Sequence, residues 1–217
     1  MNPSPLKVAV LASGRGSNLA ALIAARDAGA LPVEFVLVAS DKASAGALRL
    51  AEAAGIRTLA LNPKDYPDRA SFDRALFARV AASGAELLVL AGFMRVIDAE
   101  VVAGWEGRAI NIHPSLLPKY PGLHTHRRCL EAGDTEHGAS VHYVTAELDG
   151  GPVVAQARIS VGTSDTETSL AERLLAEEHK LLTAVVGAIA RGRLHWNGSA
   201  LFDGQPLAGP LTLAQLS

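Results

Sequence analysis

Residues 7–23, KVAVLASGRGSNLAALI, decide the fold class of this chain. The apolar run 7–12 is typical of a short buried strand, and it ends at a glycine loop, 13–16. Ser17 then opens a run of good helix formers, which predicts a helix with a polar N-cap. A strand that passes through a glycine loop into a helix is typical of the first unit of a doubly wound α/β sheet.

The same alternation continues through the first half of the chain. The sequence predicts further strands at 33–39, 58–61 and 86–91, with helices at 43–54 and 68–83 between them. This order implies a mostly parallel sheet covered by helices on both faces. We therefore expect a Rossmann-like α/β fold.

The second half has a different pattern. Strands are predicted at 109–113, 139–144 and 153–161, a short helix at 125–132 and one long helix at 166–191. Turn signals in the tail, 195–217, predict a small hairpin. No repeat or long linker interrupts the chain, so we expect a single domain with two functional halves.

The bulk composition limits the classes of partner. Among 217 residues, 20 Lys and Arg nearly balance 22 Asp and Glu, and no basic run is present, which disfavours a nucleic-acid partner. The single cysteine, Cys129, rules out an internal disulfide framework and favours a reducing compartment. No apolar run reaches the roughly 18 residues of a membrane span, so we expect a cytoplasmic globular enzyme or binding protein.

The glycine loop is open to three interpretations. Free backbone N–H groups at the helix N-terminus suit a phosphate group, and Ser17 and Asn18 add side-chain donors. A dinucleotide site is an alternative, with Asp41 as the ribose-binding acid, although the third glycine position holds Leu19. A tight turn without a ligand is the third possibility.

Asn111 and His113 form the most informative pair. Two positions apart on a strand, they project from the same face near the end that Pro114 marks. An amide donor beside an imidazolium suits a carbonyl oxygen that gains negative charge. A buried imidazolium needs a carboxylate, and Asp149, in the glycine turn 147–152, is the candidate. The alternative is a hydrogen-bonded core pair and an ordinary Asp-Gly turn.

Four other histidines raise the possibility of a metal site: His124, His126, His137 and His142. No cysteine pairing or H-E-x-x-H pattern accompanies them. Positions 137 and 142 are also five apart, so they face opposite sides of one strand. Structural hydrogen bonds or polar lining of a site are the preferred interpretation, and we expect no metal.

Five stretches carry a specific resemblance: VLASGRGSNL (10–19), AGFMR (91–95), NIHPSLLPKYPGLHTH (111–126), EHGASVH (136–142) and ELDGGP (147–152). Over essentially its whole length the sequence resembles the glycinamide ribonucleotide formyltransferases, a branch of the folate-dependent formyltransferase family. The resemblance implies transfer of a formyl group from 10-formyltetrahydrofolate, as co-substrate, to the amine of glycinamide ribonucleotide in purine biosynthesis. It implies neither a metal nor a nicotinamide cofactor.

The resemblance also implies residue roles. Asn111, His113 and Asp149 would be the catalytic trio. Gly16, Ser17 and Asn18 would hold the ribonucleotide phosphate, and Glu178 would contact its glycinamide end. The folate site would be lined by Arg69, Met94, Arg95, Val96, Ile97, Asn111 and the loop Thr145, Ala146, Glu147, Leu148 and Asp149. The nucleotide-binding half would be 1–105, and the catalytic and folate-binding half 106–217.

Several alternatives stay open beside this one. A formyltetrahydrofolate deformylase uses a similar trio with water as the acceptor, but that family has an extra N-terminal domain. A transfer-RNA formyltransferase needs an extra C-terminal domain and a basic surface. A NAD-dependent dehydrogenase and a non-catalytic carrier are more distant. Ala20 and Ala70 depart from the usual pattern of the family, which weakens the assignment of Arg69. The sequence leaves monomer and dimer open.

Overall fold

A computed structural model describes residues 4–217, and a seven-stranded sheet is its centre. Its strands are β1 Leu6–Leu11, β2 Val33–Ser40, β3 Thr58–Ala60, β4 Leu87–Leu90, β5 Ala109–His113, β6 Glu136–Tyr143 and β7 Val153–Ser160. The helices are α1 Ser17–Asp27, α2 Gly46–Ala53, α3 Arg69–Ala82, α4 Ala99–Ala103, α5 Thr125–Glu131, α6 Glu167–Ala190 and α7 Leu213–Leu216. A second small sheet contains β8 Leu194–Trp196, β9 Ala200–Phe202 and β10 Gln205–Pro206.

The strand order confirms the predicted α/β class. The sheet runs β3-β2-β1-β4-β5-β6-β7; β1 to β5 are parallel, and β6 and β7 are antiparallel to their neighbours. The order reverses beside β1, which pairs with both β2 and β4. In open α/β sheets the carboxyl edge at such a reversal is where ligands bind.

Alternating residues of the central strands divide the core into two layers. Val8 and Val10 of β1 pack on one face with the apolar sides of α1, α2 and α6, whereas Ala9 and Leu11 pack on the other face with α3 and α4. Leu174 of α6 is fully buried in the first layer, and Phe72 of α3 is fully buried in the second. Apolar cover on both faces explains why these strands are apolar throughout.

The structure corrects several predicted boundaries. The N-cap of α1 is Gly16, with φ 85° and no side-chain cap, so Ser17 is the first helical residue rather than the cap. Helix α2 begins at Gly46 instead of residue 43, and β6 begins at 136 instead of 139. The tail forms three short strands and a final helix, more than the predicted hairpin. None of the helices within 4–217 is long and apolar enough to cross a membrane.

Candidate active site

Two adjoining cavities lie where β1, β4 and β5 end. The larger, of about 450 Å³, is lined by residues that include Asn18, His113 and Glu178. The smaller, of about 80 Å³, is lined by residues that include Ile97 and Thr145. Asn111 and Asp149 line both cavities, so these two side chains lie at the junction.

The predicted trio is assembled in this junction. His113 Nδ1 lies 3.4 Å from Asp149 Oδ2, and their side chains are only 7% and 8% exposed. Asp149 has φ 51°, and a side chain at Gly151 would collide with the Tyr143 carbonyl oxygen, 1.9 Å from an added Cβ. The glycine turn therefore bends as expected and brings the carboxylate to the end of β5.

The His113 ring lies between two hydrogen-bond acceptors. Nε2 donates to the Tyr120 carbonyl oxygen at 2.9 Å, and Nδ1 faces Asp149. Burial lowers the pKa of His113 below its ordinary 6.5, and the Tyr120 and Asp149 contacts oppose this shift without cancelling it. Only the imidazolium has a proton for both acceptors. Because both nitrogens are engaged, direct donation to a substrate oxygen requires the Tyr120 contact to open.

The Asp149 carboxylate is fixed from several sides. Its Oδ2 accepts the Gly122 N–H at 2.8 Å, which ties the loop around 120–124 to the turn around 149. Burial raises the pKa of Asp149, but the His142 ring, whose Nε2 lies 3.6 Å from Asp149 Oδ1, the Gly122 N–H and the charge of His113 together outweigh that effect, so the pKa is lowered. Asp149 is thus held as an anion beside the imidazole.

His142 orients the Asn111 amide, a role that the sequence analysis did not assign. Its Nδ1 lies 2.9 Å from the Tyr143 carbonyl, which only accepts, so Nε2 is left to accept from Asn111 Nδ2 at 3.0 Å. The same amide nitrogen lies 3.5 Å from Asp149 Oδ1. The contact follows from the antiparallel pairing of β6 with β5, which sets position 142 opposite 111 and which the sequence alone does not indicate.

The residues predicted for the ribonucleotide lie at the start of α1 and inside α6. Asn18 Nδ2 donates to Glu178 Oε2 at 3.1 Å, and Asn18 Oδ1 is buried without a partner. Burial raises the pKa of Glu178, an effect that the bond from Asn18 only partly offsets. Gly16 and Ser17 adjoin Asn18 but do not line the larger cavity. Gly16 packs so closely on α2 that an added Cβ would lie 2.7 Å from Ala47 Cα.

Most residues predicted for the folate site surround the junction. Met94, Arg95 and Val96 line the larger cavity, and Arg95, Val96, Ile97 and the loop 145–149 line the smaller one. Arg69 is the exception: it is exposed on the first turn of α3 and lines neither cavity.

The remaining histidines take different positions. His124 and His126 line the larger cavity, and His126 Nδ1 lies 3.0 Å from His137 Nε2. His142, on the same strand as His137, contacts Asn111 instead. Within residues 4–217, no group of three metal-ligating side chains is arranged to hold a metal ion.

Comparisons with known proteins agree with this geometry. The formyl transferase family pattern matches residues 6–186. The phosphoribosylglycinamide formyltransferase of Escherichia coli is 45% identical over 203 residues, which are 93% of this chain and 96% of that protein. The trifunctional purine biosynthetic protein adenosine-3 of Drosophila pseudoobscura pseudoobscura is 44% identical over 190 residues, 87% of this chain and 14% of that protein.

A solved structure is similarly close in shape. The phosphoribosylglycinamide formyltransferase of Coxiella burnetii superposes with a TM-score of 0.90 at 45% identity, covering 95% of this chain and 98% of that one. The chain therefore belongs to the formyl transferase family, in the group of the phosphoribosylglycinamide formyltransferases.

Proposed function

We propose that this chain transfers the formyl group of 10-formyltetrahydrofolate to the amine of N1-(5-phospho-D-ribosyl)glycinamide. The names of its relatives indicate formyl transfer to that acceptor. The products are the formylated ribonucleotide, an intermediate of purine biosynthesis, and tetrahydrofolate. The observation that carries the proposal is the contact between His113 and Asp149 beside Asn111, at the junction of two cavities.

The cavities suit two substrates that meet at this junction. The ribonucleotide occupies the larger cavity, with its phosphate at the N-terminus of α1 and its glycinamide end at Glu178. The folate contacts residues 94–97 and the loop 145–149. Holding the amine against the formyl carbon supplies much of the rate enhancement, because both reactants are then bound and oriented.

The trio acts on the charge that the reaction creates. The substrate amine attacks the formyl carbon, forming a new C–N bond and a tetrahedral intermediate with a negative oxygen. Asn111 Nδ2 donates to that oxygen, and the His113 imidazolium stabilises it by its positive charge. Asp149 favours the protonated form of His113 as the negative charge on the oxygen develops, and it relays a proton from the attacking nitrogen to the folate nitrogen. The carbonyl then re-forms as the bond to tetrahydrofolate breaks.

The two parts of the chain divide the task. We propose that 1–105 supplies the phosphate-binding loop and that 106–217 supplies the trio and the loop 145–149, both within one domain. The cytoplasm is the proposed location, because the only cysteine is free and buried, as suits a reducing compartment.

The experiment is to follow conversion of 10-formyltetrahydrofolate to tetrahydrofolate by the purified protein, with and without glycinamide ribonucleotide. We expect turnover only with the ribonucleotide, and one formylated ribonucleotide for each tetrahydrofolate. Equal turnover without it would mean that water is the acceptor and would establish the deformylase alternative. No turnover in either case would refute both.

A further inference from the structure

One cation supports the site from outside the cavities. Arg128, on α5, donates from Nη1 to the Pro121 carbonyl at 2.6 Å and lies 3.5 Å from the Leu123 carbonyl. Its guanidinium also lies 5.3 Å from the centre of the Tyr120 ring. Arg128 lines neither cavity, so substrates do not contact it there.

The loop that Arg128 holds makes two contacts with the catalytic pair. The Tyr120 carbonyl accepts from His113 Nε2 at 2.9 Å, and the Gly122 N–H donates to Asp149 Oδ2 at 2.8 Å. Tyr120 has φ 56°, in the left-handed region that costs a non-glycine residue energy. This backbone geometry therefore depends on the contacts that surround it.

We propose that Arg128 is a positioning residue for formyl transfer, which fixes the loop 120–124 so that its backbone orients both His113 and Asp149. The guanidinium suits the task because its Nη1 contacts both carbonyls while its plane lies over the Tyr120 ring. This role rests on the proposed function, because it assigns a residue to the same reaction.

The charge of Arg128 has a second, separable effect. Four influences other than burial act on the pKa of His113: the Tyr120 carbonyl and the Asp149 carboxylate raise it, and the charges of His142 and Arg128 lower it. Loss of the Arg128 charge alone would raise that pKa, whereas a loosened loop would lower it by weakening the Tyr120 and Asp149 contacts, which are the larger influences. A lysine would keep the charge, but its ammonium has no planar face to stack on the Tyr120 ring.

The test uses Arg128→Gln and Arg128→Lys in the full chain. Arg108→Gln is the matched control, because Arg108 also stacks on an aromatic ring, Trp105, and donates to one carbonyl, that of Gly104. The readouts are kcat, the KM for each substrate, the melting temperature, and the titration of the His113 ring by NMR.

We expect Arg128→Gln to lower kcat by about ten- to hundred-fold with both KM values nearly unchanged, since misplaced catalytic groups act mainly on the chemical step. Its His113 titration should move to lower pH, because a loosened loop weakens the Tyr120 and Asp149 contacts that raise the pKa of His113. Arg128→Lys should lower kcat less and leave the titration in place, and Arg108→Gln should match the wild type in both.

Two results would overturn the proposal. One is a kcat within twofold of wild type for Arg128→Gln. The other is a loss of kcat that is equal in Arg108→Gln or is matched by a rise in KM. If Arg128→Gln does not fold, an undiminished kcat in Arg128→Lys would have the same meaning. An inactive wild type would instead refute the proposed function. The effect of Arg128 on His113 could still be measured in that case, because the NMR titration needs no turnover.

Discussion

At the scale of single residues, the charge on His113 is the property that the site controls. The ring is buried, which favours the neutral form, but it lies between a carbonyl and a carboxylate, which favour the imidazolium. In the free protein the effect of burial is the larger one, so the pKa of His113 is lowered and the neutral ring is favoured. A negative oxygen formed beside the ring would shift the balance towards the imidazolium, so the charge is greatest when the intermediate forms.

The first prediction concerns the titration of this ring. His113 should titrate below its ordinary pKa of 6.5, and Asp149→Asn should lower the pKa further, because the carboxylate is one of the groups that raise it. NMR of the imidazole carbon-bound protons measures both values. A higher pKa in Asp149→Asn than in the wild type would contradict the assigned pairing.

A second prediction separates the two substrates. Glu178→Gln should raise the KM for the ribonucleotide about tenfold or more while the KM for the folate stays unchanged, since a lost hydrogen bond to a charged group typically costs that much. Glu177→Gln is the control, because Glu177 is next in the same helix but pairs with Lys180 outside the cavities. An equal rise in both KM values would show that Glu178 does not act specifically on the ribonucleotide.

Spacing along the chain indicated some of these residues and not others. Asn111 and His113 were predicted from positions two apart on one strand, and that reasoning needed only the strand. The prediction of Asp149 depended on the glycine turn bringing its carboxylate to His113, which the spacing along the chain permits but does not require. The Tyr120 carbonyl was out of reach, because a backbone oxygen leaves no mark on residue identity and its position depends on the loop.

At the scale of elements, short and polar segments were the difficult ones. Helix α4, with five residues, was too short to show helical periodicity. The first residues of β6 include Gly138, a poor strand former, yet they pair with β7 along their whole length. An added Cβ at Gly138 would lie 2.1 Å from the Ala157 carbonyl oxygen, so packing between strands requires glycine there. Tertiary contacts override local propensity at such positions.

The contact between α5 and β6 predicts a pH-dependent stability. Burial, and to a lesser degree the neighbouring His126, lowers the pKa of His137 to about 4. The unfolded chain then binds a proton that the folded chain does not, between pH 6.5 and about 4. The free energy of unfolding should therefore fall as the pH is lowered through this range.

The measurement is urea unfolding at several pH values for the wild type and His137→Gln. The variant should lose less stability than the wild type between pH 7 and pH 5. His195→Gln, at an exposed position on β8, serves as the control and should keep the dependence of the wild type. A variant as sensitive to pH as the wild type would show that His137 is not responsible.

At the scale of the whole molecule, the site depends on one sheet built by both parts of the chain. Strand β5 pairs in parallel with β4 on one side and antiparallel with β6 on the other. The parallel side brings Asn18, at the start of α1, and residues 92–96 to the cavity, and the antiparallel neighbour brings His142 to Asn111. The α/β class was predictable from alternating apolar runs. The placement of β6 and β7 was not, because strand direction leaves no periodic signal.

The measurement that tests the central claim most directly is single-turnover formyl transfer, with enzyme in excess and both substrates bound. Wild type, His113→Ala and Asp149→Ala are compared, with substrate affinities and melting temperatures recorded for each. We predict that each variant slows the transfer step by about 10²- to 10⁴-fold, the usual contribution of general acid–base groups, while the fold and both affinities are retained. A near-normal transfer rate in either variant would contradict the role given to that residue and the mechanism built on the pair.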